Sequence, residues 1–310
     1  MSIGRDYASL SARIVKSRFA QLVVNEHLKS KMFAIPVHLA LGHEAFSEAV
    51  AAAMRDGDKL ICSHRNLHYQ FARGATLFEI LEEFKLSDKG LAKGRGGSMN
   101  LTNPDGSIVY TSSILGNNLC VAAGVALSKR IKREEGVVSV VTGDGGMEEG
   151  AFYETLENAR NMDLPLIILV ENNHWSLGTR IEERRKPINL SQLASGLGAR
   201  YTALEGNDPI QYRDELMAVR GRVHLQRIPE IVEVRLTTLG DWRLQTDEFP
   251  GGKFINYHAG SAPKVSLDNG PVLGSDASDP VYLIKENLGE PGFARLIEST
   301  RRLFSDFLTT

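Results

Sequence analysis

The sequence predicts an α/β fold in which a mainly parallel sheet is flanked by helices on both faces. Residues 137 to 142 and 164 to 170 are short, apolar and rich in valine, isoleucine and leucine, the composition of strands buried on both sides. Residues 147 to 162 between them have the length and pattern of a helix, which completes a βαβ unit. A third run, Ile231 to Leu236, reads as a further strand.

From the amino end, residues 7 to 30 place apolar and charged positions at helical spacing, and an alanine-rich stretch from Glu44 to Met54 makes a second helix. Asp58 to Ser63 is a short strand and Leu77 to Phe84 is again helical. The glycines between Lys93 and Asn100 permit backbone shapes that other residues resist, so this segment is expected to be a flexible loop. Leu119 to Ile131, apolar with many small residues, is expected to be a helix packed beneath a ligand site. Arg180 to Lys186 is densely charged and reads as a solvated loop or helix face. Pro250-Gly-Gly opens an irregular stretch to about Ser278, expected to be the most mobile part. The chain divides into a large domain, 1–247, and an irregular loop with a carboxyl-terminal helical extension, 248–310.

At 310 residues the chain is long enough for a large core. Its 36 basic and 38 acidic residues leave a net charge of −2, which offers no general field for nucleic acid or an anionic membrane. The two cysteines, Cys62 and Cys120, lie in apolar stretches and read as small core residues in a reducing compartment, not as a disulfide framework or metal site. No apolar run has the length needed to span a bilayer, and the expected location is the cytoplasm.

The chemistry gathers where the two best strands end. Parallel strands joined by a right-handed crossover finish on the same sheet edge, so Asp144 and Asn173, which follow those strands, should emerge side by side. A carboxylate and an amide oxygen facing one volume suit Mg²⁺, which takes hard oxygen ligands and keeps room for non-protein ones. Gly143, Gly145 and Gly146 let backbone N–H groups approach an anion at the mouth of the following helix, where the helix dipole favours negative charge. A metal-bridged diphosphate fits that arrangement best.

Gly-Asp-Gly at 143–145, followed by Asn-Asn at 172–173, resembles the paired thiamine-diphosphate motif. The stretch 171–179, Glu-Asn-Asn-His-Trp-Ser-Leu-Gly-Thr, is similar to the α subunit of the decarboxylating first component of 2-oxo acid dehydrogenase complexes, of the pyruvate or acetoin type. The resemblance is strong from about His38 to Thr179 and weaker to the carboxyl end, where Asp279-Pro280 precedes an apolar helix. It implies the thiamine-diphosphate-binding fold, with thiamine diphosphate and Mg²⁺ as cofactors. Asp144, Asn173 and the backbone carbonyl of Trp175 would hold the cation, and Gly145 and Gly146 would lie against the diphosphate. His64 and Arg65 match the family's Tyr-Arg pair, and a guanidinium gives phosphate oxygens a fixed fork of donors. Ser113 and Leu115 match the segment whose backbone holds the aminopyrimidine ring. His38 corresponds to a histidine near the reacting carbon, where an imidazole can donate to a carboxylate or carry a proton.

Several positions depart from that family. Gly240-Asp241-Trp242 replaces a His-Gly-His loop, Thr238 replaces the Arg before it, and Leu67 and Asn100 stand where histidines are common. The turn Gly145-Gly-Met-Glu-Glu-Gly is similar to the transketolase version. The resemblance also implies a separate β subunit that supplies the pyrimidine-activating glutamate in an α₂β₂ assembly, so that this chain alone is inactive. The implied target is a C–C bond next to a carbonyl in a 2-oxo acid or acetoin, with the acyl unit passed to an acceptor such as a lipoyl-bearing acyltransferase. Two alternatives stay open: a split transketolase-like enzyme that moves a two-carbon unit to an aldehyde or sugar, and a non-catalytic regulatory subunit that keeps the fold. A Rossmann dehydrogenase fits poorly, because no Gly-x-Gly-x-x-Gly follows a strand.

Overall fold

The computed structural model describes residues 2–240, 243–244, 247–248, 250, 253–254 and 259–308; Asp241 and Trp242 of the altered loop lie outside them. In chain order the elements are α1 (Ser2–Lys29), α2 (Glu44–Ala53), β1 (Lys59–Ser63), α3 (Leu67–Ala72), α4 (Leu77–Phe84), β2 (Ile108–Ser112) and α5 (Asn117–Lys132). They continue with β3 (Val138–Gly143), α6 (Gly150–Asn161), β4 (Leu166–Asn172), the small hairpin β5 (Trp175–Ser176) and β6 (Thr179–Arg180), and α7 (Ile181–Arg184). Then come α8 (Leu190–Gly196), β7 (Arg200–Leu204), α9 (Pro209–Gln226), β8 (Glu230–Arg235) and α10 (Pro280–Leu303).

Six strands form the main sheet in the order β2-β1-β3-β4-β8-β7, and every neighbouring pair is parallel. Side chains alternate across it. Val141, Ile167, Leu169, Val232 and Val234 join one buried cluster with residues of α1, α2, α4, α9 and α10. Val138, Val140, Leu166, Ile168, Val170 and Ile231 join another with α5, α6 and α8. Burial of each such side chain contributes about 1.5–3 kcal/mol, and this two-sided demand is why the central strands read as unbroken apolar runs.

The expected α/β architecture is therefore observed. The sequence did not signal β2 or β7, and both lie at the sheet edges with partly exposed side chains. Helix α9 also went unread, although Asp208 caps it by accepting from the N–H groups of Ile210 (2.9 Å) and Gln211 (3.2 Å), with Pro209 at its first turn. Cys62 is buried as expected, but Cys120 is exposed on α5: the helix buries Leu119 and Ala122 and turns Cys120 to the other side.

The carboxyl-terminal extension packs onto the first cluster through Val281, Ile284, Phe293 and Phe304, and Phe304 stacks on Phe19 with ring centroids 6.3 Å apart. One buried ionic centre ties it down. Arg18 of α1 donates to Glu44 through Nε (2.6 Å) and Nη2 (2.9 Å), to Asp279 (3.0 Å) and to the Pro271 carbonyl (2.8 Å). Within the stretch expected to be most mobile, Asn25 clamps a described turn: its amide donates to the carbonyls of Ala262 (3.2 Å) and Val265 (3.0 Å) and accepts from the Ala262 N–H (2.8 Å).

Candidate functional site

Strands β1 and β3 are neighbours whose successors lie on opposite sides, β2 beyond β1 and β4 beyond β3. Such a switch point leaves a crevice at the carboxyl ends of the strands, where α/β sheets bind ligands. Ser63 ends β1, and Gly143 ends β3 in register with Glu171 of β4. Asp144 and Asn173 thus leave adjacent strands at one edge.

A cavity of about 230 Å³ occupies that crevice, and His64, Arg65, Ser113, Leu115, Asp144, Gly145, Gly146, Asn173 and Trp175 all line it. His38 does not line it. It is buried one ring further back, edge-on to His64 with centroids 4.9 Å apart. Between Asp144 and α6 runs a short 3₁₀ turn, Gly146–Glu148, so the amides nearest the cavity belong to that turn and the helix starts later than the pattern at 147 suggests.

The wall from β3 is ionic. Asp144 is buried, and its Oδ2 accepts from Nη2 of Arg184 at 2.7 Å. The same Nη2 donates to Glu148 at 3.0 Å, and Arg185 donates to Glu148 through Nε at 2.8 Å. Burial pushes the Asp144 carboxyl upward, and Arg184 opposes that rise. The charged run at 180–186 is therefore more than a solvated face: α7 delivers a guanidinium to the sheet edge.

The wall from β4 is built from hydrogen-bond donors around one buried carboxylate. Asn173 donates from Nδ2 to Thr238 Oγ1 (2.9 Å) and accepts on Oδ1 from the Trp175 N–H (3.1 Å). Thr238 Oγ1 meets His43 Nε2 at 2.9 Å, and His43 Nδ1 lies 3.4 Å from Glu171 Oε2. The other oxygen of Glu171 receives the Tyr69 hydroxyl (2.8 Å) and His68 Nε2 (3.0 Å). Burial works against the Glu171 charge, yet His68 and His43 outweigh it and hold the carboxyl well below the usual range. Burial lowers His43 below its ordinary value, with Glu171 opposing.

The third wall is set from behind. Arg65 donates to the Leu39 carbonyl; burial lowers it to about 10, with Glu171 and Asp144 opposing, so it stays cationic. The 93–100 segment is a fixed loop, against expectation. Buried Glu83 accepts from the N–H groups of Ala92 (2.7 Å), Gly94 (2.9 Å), Gly96 (2.9 Å) and Gly97 (3.0 Å). Gly94 needs its positive φ of 71° there, and a Cβ on it would meet the backbone of Leu86. Asn100 Oδ1 in turn accepts the Ser113 N–H at 3.2 Å. Leu67 is buried in the core.

Arg184, Glu171, His43, His68 and Glu83 were not among the site residues read from the sequence. Glu171 had a local signal, a carboxylate directly before Asn-Asn on an otherwise apolar strand. The others come together only through tertiary packing.

These residues fit a divalent cation and a diphosphate. The donor set at Asp144, Asn173 and the Trp175 backbone is all oxygen, and Arg184 shows that Asp144 accepts a cation in this position. A Cβ on Gly145 would collide with Ser176 and one on Gly146 with Thr142, so both positions are close-approach backbone.

Fold and site together define a parallel α/β protein with a cavity at its switch point that Asp144, Asn173 and Arg65 line. The chain belongs to the dehydrogenase E1 component family, which residues 13–235 match. It is similar to the α subunit of acetoin:2,6-dichlorophenolindophenol oxidoreductase of Bacillus subtilis (strain 168), 30% identical over 172 residues, 56% of this chain and 52% of that one. The α-1 subunit of the mitochondrial pyruvate dehydrogenase E1 component of Arabidopsis thaliana is 30% identical over 162 residues, 52% of this chain and 42% of that one. The corresponding α subunit of Zymomonas mobilis is 27% identical over 199 residues, 64% and 56% respectively. The chain thus matches about half the length of these relatives. No helix among the described residues is long and apolar enough to cross a membrane.

Proposed function

We propose that this chain is the diphosphate- and cation-binding half of a thiamine-diphosphate-dependent enzyme that cleaves a C–C bond next to a carbonyl. The observation that carries this reading is the gathering of Asp144, Asn173, Gly145, Gly146 and Arg65 around one cavity at the sheet's switch point. When bound, thiamine diphosphate supplies the nucleophilic carbon and the electron sink for the bond cleavage.

The chain's own residues bind and orient. Asp144, Asn173 and the Trp175 carbonyl hold Mg²⁺, and the 3₁₀-turn amides, Arg65 and His64 face the diphosphate. Ser113 and Leu115 offer backbone to the aminopyrimidine ring. His38 acts through His64, or reaches the reacting centre after a shift, as a proton carrier.

A β subunit completes the site in this reading. The cavity's 230 Å³ falls short of the roughly 300–1,000 Å³ of complete small-molecule sites. Its rim carries Ile114, Leu115 and Leu177, large apolar side chains that are 68%, 44% and 58% exposed. A partner covering that rim would supply the activating glutamate and exclude water. A 2-oxo acid or acetoin is the substrate, and the acyl unit goes to an acceptor such as a lipoyl group.

Titration calorimetry of thiamine diphosphate with Mg²⁺ tests the core of this reading. Asp144→Ala should abolish the binding heat seen with the unaltered chain, and an unchanged affinity overturns the proposal. Product analysis with pyruvate and a lipoyl carrier, set against ketol donors with aldehydes, decides the acceptor.

A further inference from the structure

Asn173 can serve a cation only through Oδ1, since its Nδ2 is a donor. A side-chain amide can flip, so something must decide which end faces the cavity. Two contacts decide it here. The Trp175 N–H requires an acceptor, which places Oδ1 beside it at 3.1 Å, and Thr238 Oγ1 receives Nδ2 at 2.9 Å. A flipped amide would set a donor against the Trp175 donor.

Thr238 is itself oriented. Its oxygen accepts from Asn173, and its own proton is free to go to His43 Nε2, 2.9 Å away. That requires the His43 proton on Nδ1, which points at Glu171 Oε2 (3.4 Å). The opposite tautomer would leave the Nδ1 lone pair facing a carboxylate oxygen. Every hydrogen bond from Asn173 to Glu171 therefore runs in one direction, Asn173 to Thr238 to His43 to Glu171. Glu171, 6% exposed, is fixed by Tyr69 and His68 on its other oxygen.

A metal ion within His43, His68 and Glu171, whose ligand atoms lie within 4.8 Å of one another, is the rival explanation. Metal on His68 Nε2 would force the imidazole proton onto Nδ1, and Nδ1 is buried with no hydrogen-bond partner among the described residues. An orphaned buried polar atom costs about 1–3 kcal/mol, and moving the proton to Nδ1 would also take away the one that Nε2 offers to Glu171 Oε1 at 3.0 Å. Glu171 Oε1, moreover, is already met by Tyr69 and His68. The hydrogen-bonded arrangement is the one the geometry satisfies.

We propose that Thr238, His43 and Glu171 are positioning residues that lock the Asn173 amide with its carbonyl oxygen toward the cavity and thereby set the affinity of this site for a hard divalent cation. The inference rests on the cation–diphosphate reading above. Outer partners of this kind are worth about 10- to 100-fold in metal affinity.

Mn²⁺ titration of the full chain in excess thiamine diphosphate, followed by electron paramagnetic resonance, tests it with Thr238→Val, Thr238→Ser and Asp144→Ala. Valine keeps the shape and removes the hydroxyl. Thr238→Val should weaken Mn²⁺ by about tenfold or more, and Thr238→Ser should restore it to within about twofold, while both variants keep the melting temperature to within a few degrees. Wild-type affinity in Thr238→Val, with binding lost in Asp144→Ala, overturns the positioning role alone. Equal Mn²⁺ affinity in wild type and Asp144→Ala overturns the cation site and this inference with it. If Thr238→Val and Thr238→Ser lose affinity to the same extent, the effect is one of packing and the positioning role is likewise overturned.

Discussion

Two of the buried carboxylate centres among the described residues differ in what answers the charge. At Arg18 a guanidinium grips Glu44 with both arms and reaches Asp279, joining α1, α2 and the start of α10. At Glu171 the direct contacts are a tyrosine hydroxyl and two imidazoles, and the outermost link ends at Asn173 on the cavity wall. The first centre is closed: its side chains contact one another and nearby backbone. The second is open at one end, so burial there orients a group that faces solvent. Buried charge can fasten a fold or aim a ligand, and the partners tell which.

Breaking the closed centre should have the largest effect. Arg18→Ala leaves two carboxylates buried without their cation, and urea unfolding should record a loss of about 3–5 kcal/mol. The protein that stays folded should bind Mg²⁺ and thiamine diphosphate as wild type does. A loss of metal affinity without a loss of stability would reverse the roles assigned to the two centres.

Glu48, one turn after Glu44 on α2, sharpens the contrast because Arg13, its ion-pair partner at 2.7 Å, is 41% exposed. Burial outweighs Arg13 and pushes Glu48 up to about 7. The folded value lies above the unfolded one, so the fold favours the protonated form. The contribution is complete below about pH 4 and is lost as the pH rises through 7. Glu48→Gln should remove that slope and gain about 3 kcal/mol on wild type between pH 5 and pH 8 in urea melts. Parallel stability curves would contradict the burial argument.

Glu171→Gln tests the open centre. It keeps the shape but turns one acceptor into a donor that faces either His43 or the Tyr69–His68 pair, at a cost of about 1–3 kcal/mol in unfolding experiments. Arg184→Ala should have the smallest effect and the opposite sign. Removal of the guanidinium that shares Asp144 should tighten Mg²⁺ about three- to tenfold, roughly 1 kcal/mol, with a gap that narrows at high salt. Weaker Mg²⁺ binding in that variant would make Arg184 a diphosphate contact and not a rival of the metal.

The central sheet was legible because β3 and β4 are buried on both faces and so carry continuous apolar residues. Edge strands β2 and β7 carry a mixture of buried and half-exposed positions, which a period-based reading passes over. Asp144 and Asn173 were legible for a topological reason: parallel neighbours must end together. Arg184 was hidden within a charged run that local sequence cannot distinguish from surface, and only the β5–β6 hairpin brings it back to the sheet. His43 and His68 looked ordinary because their common partner, Glu171, lies 128 and 103 residues away along the chain.

Glu83 has one more consequence. A single carboxylate gathers four backbone amides of the 92–97 loop, so the chain supplies that loop with an anion of its own. The loop then holds Asn100 in place, and Asn100 holds the Ser113 backbone at the cavity. The conformational entropy of this rim is lost during folding, before any guest arrives, so a ligand of the cavity need not supply the free energy of ordering it.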